Sequence, residues 1–220
     1  MHMNKNIGIW VVIALLVGGL VGYMVPRPVT PGATNAPATN GISQKEVDLR
    51  QAMRKLWSDH VWWTRAYAGA AIAGAPDADQ AAARLLKNQE EIGAAVAQYY
   101  GTAAGSQLTQ LLKDHILIAV DVVKAAKAGD QAKLKEADDR WKANAAAIAN
   151  FLSTANPNWS KAELTSMLNS HLALTTEEVT ARLNKDWAKD VATFDRIFNQ
   201  AMDMADVLSG GIVKQFPAKF

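Results

Sequence analysis

Three histidines, His60, His115 and His171, stand 55 and 56 residues apart, each at the head of the same pattern. Between them a second pattern recurs: Arg84, Asn88 and Ile92, then Arg140, Asn144 and Ile148, then Arg196, Gln200 and Met204, with 56 residues between successive sets. Such a period marks a repeated supersecondary unit that cannot bury its apolar face alone and stacks on its copies. The body of the chain is thereby restricted to three like units around a shared core.

From Ile42 onward the chain is alanine-rich and nearly free of proline, and it lacks the alternating pattern of strands. Its periodicity predicts six helices over 43–73, 77–100, 103–128, 130–154, 160–183 and 186–209. Gly74-Ala75-Pro76-Asp77 separates the first two, Gly101 and Gly105 punctuate the next link, and Gly129-Asp130 makes a tight turn. Ser160 with Glu163 forms a capping box, and Gly210-Gly211 is expected to end the sixth helix, with the tail to Phe220 folding back as a latch. Apolar residues step by four and three along Leu49, Met53, Leu56, His60, Trp63 and Tyr67. They do so again along Leu108, Leu111, His115, Ile118 and Val122, and along Leu164, Met167, His171, Leu174 and Glu178. In each stripe a histidine stands where an aliphatic residue belongs.

The partner helices carry Asn88, Asn144 and Gln200 within their own apolar stripes. Measured from the hairpin turns, His60 and Asn88, His115 and Asn144, and His171 and Gln200 lie at matching heights, so antiparallel pairing sets an imidazole beside a carboxamide in each hairpin. Packing around a common axis would bring all six groups into one layer. Asp121 with Arg140, and Glu177 with Arg196, match one turn nearer the loops. The first hairpin has Arg84 but Ala66 in the acid's place, which leaves Asp59 or Asp114 as the substitute.

Two chemistries fit such a layer. Three neutral imidazoles converging on one axis make an all-nitrogen site suited to zinc or copper, with Asn88, Asn144 and Gln200 orienting the rings. Equally, imidazole and carboxamide satisfy each other's donors and acceptors when buried, and the layer then serves only to fix helix register. No His-x3-His spacing and no Glu-x-x-His pair is present, and haem attachment through cysteine is excluded by the absence of cysteine. Asp59-His60 and Asp114-His115 are neighbours on a helix and face apart, so they are not catalytic dyads, and Ser58, Thr64 and Ser170 have nothing placed to activate them. No catalytic residue is assigned.

Ahead of the body, Ile7–Val25 is an unbroken run of apolar residues and glycine, long enough as a helix to match the roughly 30 Å of a bilayer core. The expectation is an N-terminal membrane anchor or signal segment over 1–25, a proline- and threonine-rich linker over 26–41, and an extracytoplasmic body over 42–220. The expected partners are the membrane and an envelope protein. A net charge of +2 with interleaved acids and bases argues against nucleic acid.

Leu56-Trp57-Ser58-Asp59-His60-Val61-Trp62-Trp63-Thr64-Arg65 and Leu111-Leu112-Lys113-Asp114-His115-Ile116 resemble segments of a group of small bacterial all-helical proteins with no established function. The likeness extends to Asn88-Gln89, Ala205-Asp206 and Gln215-Phe216-Pro217. It implies one folded helical unit and carries no mechanism. The fold expected is an all-α six-helix bundle of three antiparallel hairpins, acting as a binding or scaffold module.

Overall fold

Helices begin where a short polar side chain takes up a free backbone N–H. The Ser43 hydroxyl accepts from the Glu46 amide at 3.2 Å, Asp130 from Lys133 at 3.1 Å, Ser160 from Glu163 at 3.4 Å and Asp186 from Lys189 at 3.1 Å. Gly74 (φ 71°) and Gly129 (φ 69°) close the first and third helices in the left-handed conformation that glycine adopts without strain. The computed structural model describes residues 41–220. Six helices result: α1 (Gln44–Ala73), α2 (Ala78–Tyr100), α3 (Thr102–Ala128), α4 (Gln131–Ala155), α5 (Lys161–Leu183) and α6 (Trp187–Gln215), then a short 3-10 turn at Pro217–Lys219. The expected anchor (1–25), and the linker up to residue 40, lie outside the described residues. Among those residues no helix is long and apolar enough to cross a membrane.

Helices α1 and α2, α3 and α4, and α5 and α6 pair as hairpins. Neighbouring hairpins touch through α2 and α3 and through α4 and α5, and α1 against α6 closes the ring. The odd-numbered helices also meet one another, so they form the inner face. The expected stripes are buried at Leu49, Met53, His60 and Tyr67, at Leu108, His115 and Val122, and at Leu164, His171 and Glu178, but are turned by one position one turn before each histidine. Trp57, Leu112 and Leu168 are buried, whereas Leu56, Leu111 and Met167 are only partly so. The reason is polar: the backbone carbonyls of Leu56, Leu111 and Met167 face the partner helix and bond its amide side chains.

Helix boundaries match the expected ones to one residue except at the last, where α6 continues six residues past 209. Gly210-Gly211 is therefore not a stop. A Cβ at Gly211 would collide with the indole nitrogen of Trp159, so this glycine makes room for a buried tryptophan from the α4–α5 link. Gly105 likewise lies inside α3 rather than in a link. A Cβ there would meet the Ala97 side chain and the Gly93 carbonyl at 2.6 Å, which marks the closest approach of α2 and α3. The last residues fold under the bundle end, with Phe220 stacked on Tyr99 at 5.8 Å and Phe216 edge-on to Tyr100 at 5.3 Å.

Gly210 has open space, its nearest neighbour being Arg50 at 4.0 Å. Gly210→Ala is expected to stabilise by about 0.5–1 kcal/mol through helix propensity, whereas Gly211→Ala costs about 1–3 kcal/mol by overpacking. Opposite shifts of the denaturant midpoint at adjacent glycines check the reading.

Candidate functional site

Turned inward from α1, α3 and α5, His60, His115 and His171 are all buried, with 3%, 4% and 6% of their surface exposed. The His60 and His171 rings lie 5.8 Å apart and those of His115 and His171 6.4 Å apart. The three imidazoles therefore meet at one level, as their spacing implies.

The second hairpin shows the arrangement most completely. His115 Nδ1 is 2.8 Å from Asn144 Oδ1, and Asn144 donates its own N–H to the Leu111 carbonyl at 3.0 Å. Trp141 donates its indole N–H to His115 Nε2 at 3.1 Å. The ring must then carry its proton on Nδ1, and both nitrogens are occupied. The third hairpin repeats the core of this: His171 Nδ1 lies 3.2 Å from Gln200 Oε1, and Gln200 donates to the Met167 carbonyl at 3.0 Å. The longer glutamine reaches the same two groups as the asparagine.

The first hairpin solves the problem differently. Asn88 donates to the Leu56 carbonyl at 3.0 Å, in register with the other two amides. The group nearest His60 Nδ1, however, is the amide nitrogen of Gln89 at 3.2 Å, which also donates to the Leu85 carbonyl at 2.8 Å and lies 3.1 Å from Asn88 Oδ1. Accepting from Gln89 puts the His60 proton on Nε2, the tautomer opposite to that of His115. Gln89 and Trp141 are the members of the site that sequence periodicity does not single out. Gln89 has no counterpart in the other repeats, and a tryptophan in an apolar stripe reads as core filling.

Among the described residues no carboxylate bonds these rings, and burial pushes their basicity down. His60 falls to about 3, through burial first and then through the proximity of His171 and His115. His115 falls to about 4, for burial and then for His171, and His171 is lowered by burial. All three are neutral at ordinary pH. Among the described residues no group of three or more His, Asp or Glu side chains is placed to hold a metal ion. The chemistry agrees at His115, where a metal would have to displace either the Trp141 N–H or the Asn144 amide.

Flanking pairs lie where matching heights place them. Arg140 meets Asp121 at 2.9 Å and Arg196 meets Glu177 at 3.0 Å, both on the surface. Arg84 takes Glu91 at 3.2 Å and Asp59 at 3.9 Å, so of the two substitutes expected for Ala66 it is Asp59 that approaches, while Asp114 bonds Gln110. A second polar centre has no warning in the repeat. Arg65 binds Glu178 and forks onto Asp190 at 3.1 and 2.9 Å, Arg182 reaches Asp190 at 2.8 Å, and both carboxylates are buried. Burial raises the Glu178 carboxyl above its ordinary range, against the pull of Arg65.

Beneath the imidazoles an apolar cavity of about 30 Å³ lies among Trp57, Leu112, Leu168 and Met204. On the outside, Trp62 (56% exposed), Trp187 (57%) and Val191 (54%) surround Phe194, whose ring is 4.9 Å from that of Trp62. No known family, no curated protein and no solved structure matches this chain.

The layer should make the fold acid-sensitive. Each histidine binds a proton at about 6.5 when unfolded and only at a lower pH when folded, so stability is complete above 6.5 and is lost as pH falls toward the folded values of about 3 and about 4. At pH 5 His60 and His115 each forgo roughly 2 kcal/mol, and His171 adds to the loss in the same direction. Denaturant unfolding at pH 7.5 and pH 5 is expected to show a loss of several kcal/mol, and His115→Leu to reduce that loss by roughly 2 kcal/mol. A flat profile between these pH values would show that the rings are not buried neutral.

Proposed function

We propose that this chain is a membrane-tethered scaffold whose helical body stands on the extracytoplasmic side and holds a protein partner at the envelope, while the imidazole–amide layer fixes helix register. The observation that carries this reading is that both nitrogens of His115 are already spent on internal bonds and that Nδ1 of His60 and of His171 faces an amide of the partner helix, so each ring is tied into its own hairpin. Tethering rests on the Ile7–Val25 run. Partner binding rests on the exposed aromatic patch of Trp62, Trp187 and Val191 beside Asp195, an exposed acid outside every ion pair among the described residues. A partner helix with apolar side chains and a lysine or arginine complements that patch in shape and charge.

Metal content separates this reading from a zinc or copper centre at His60, His115 and His171. Protein purified without a histidine tag is expected to contain neither metal in stoichiometric amount and to melt at the same temperature with either in excess. Stoichiometric metal that disappears in a folded triple His→Ala variant would replace the scaffold reading with a metal site.

The absence of cysteine makes the surface reading directly testable. Single cysteines at Lys124, exposed on α3, and at Val191 serve as probes in the full chain. With a membrane-impermeant maleimide, Lys124→Cys should label in intact cells as fast as in purified protein, and Val191→Cys markedly more slowly in cells. No labelling of Lys124→Cys before lysis overturns the location, and equal rates at Val191→Cys overturn the covered patch.

A further inference from the structure

Seven residues beyond each histidine stand Tyr67, Val122 and Glu178, and four residues beyond stand Thr64, Ala119 and Thr175. These positions share the inward face of α1, α3 and α5 with the histidines, because seven residues is close to two helical turns. Together they line a second cavity of about 20 Å³ on the side of the layer away from the apolar one. Its polar groups are unequally satisfied. The Thr64 and Thr175 hydroxyls donate to the carbonyls of His60 and His171 at 2.7 and 2.9 Å. Glu178, 4% exposed, accepts from Arg65. The Tyr67 hydroxyl, on a side chain 6% exposed, has no partner among the described residues.

We infer that this cavity is a binding site for one water molecule, which accepts from the Tyr67 hydroxyl and donates to the Glu178 carboxylate. The volume suits one water and little more, since a site of this kind needs about 10–15 Å³ and two to four polar partners. The phenol supplies a donor and the carboxylate an acceptor, with the oxygens of Thr64 and Thr175 beside them. The water joins α1 to α5 above the layer, at the axial level where the repeat replaces a third polar group with Val122.

A crystal structure of the full chain at a resolution that shows ordered solvent, together with the melting of Tyr67→Phe, tests this. Expected are a water peak within hydrogen-bond distance of Tyr67 Oη and a Glu178 oxygen, and an unfolding constant raised roughly tenfold in Tyr67→Phe. Removing a hydroxyl that is buried dry would instead stabilise the fold. A cavity without that peak, or a Tyr67→Phe chain as stable as the parent or more so, overturns the inference.

Discussion

Everything inside this bundle depends on one clamp, a carboxamide that grips a neighbouring helix at two points. Its N–H bonds the carbonyl four residues before the histidine, and in the second and third hairpins its oxygen takes the imidazole proton. The carbonyl already serves its own helix, but its second lone pair is open to a donor from outside. Two contacts one turn apart fix both the height and the rotation of the partner. A slip of one residue would strand several buried polar groups, each at a cost of about 1–3 kcal/mol. An all-leucine layer would tolerate that slip. The rotation of the seam, with Trp57, Leu112 and Leu168 inward in place of Leu56, Leu111 and Met167, follows from the same clamp.

Neutral imidazole is what permits three such clamps to meet. Charged rings 5.8 and 6.4 Å apart in an apolar setting would repel one another and lose their hydration, so each ring keeps a single proton and needs one donor and one acceptor around it. The second hairpin supplies both, from Trp141 and Asn144, while the first supplies a donor from Gln89 and the third an acceptor from Gln200. A feature that survives such divergence is the geometry itself and not any one side chain.

The architecture was legible in the sequence because it repeats. Helix number, hairpin order, the inward histidines and the Asp121–Arg140 and Glu177–Arg196 pairs all follow from period and height. What periodicity hides is whatever differs between copies. Gln89 is invisible to it, since the second and third repeats place Ala145 and Ala201 there. Gly105 and Gly211 look like punctuation in the sequence because glycine has two uses, and only packing tells a turn from a close approach. Sequence alone places Glu178 in the inward stripe of the fifth helix, where it is buried, but gives no sign that Arg65, Arg182 and Asp190 gather on it.

That last cluster explains how a triplicated chain settles on one ring. Inside the hairpins the three units are alike, but the seams between them are not. At α2 and α3 a single-residue link at Gly101 and the close approach of Gly93 and Gly105 hold the helices together, and at α4 and α5 the short link carries Trp159 into the core. The seam between α1 and α6 has no covalent connection. Here the fold places Arg65 against Glu178 and Asp190, with Arg182 on Asp190 and, further along, Arg54 against Asp206. The repeat equivalents of Arg65 are Val120 and Thr176, and those of Asp190 are Ala78 and Leu134, so Arg65 finds its two carboxylates only when the first hairpin meets the third, while Arg182 serves Asp190 from within the third. Left unpaired, buried charges of this kind would cost about 3–5 kcal/mol. A packing that kept Glu178 buried but set another hairpin in place of the first would leave it without Arg65, and is thereby disfavoured at the one seam the chain does not tie.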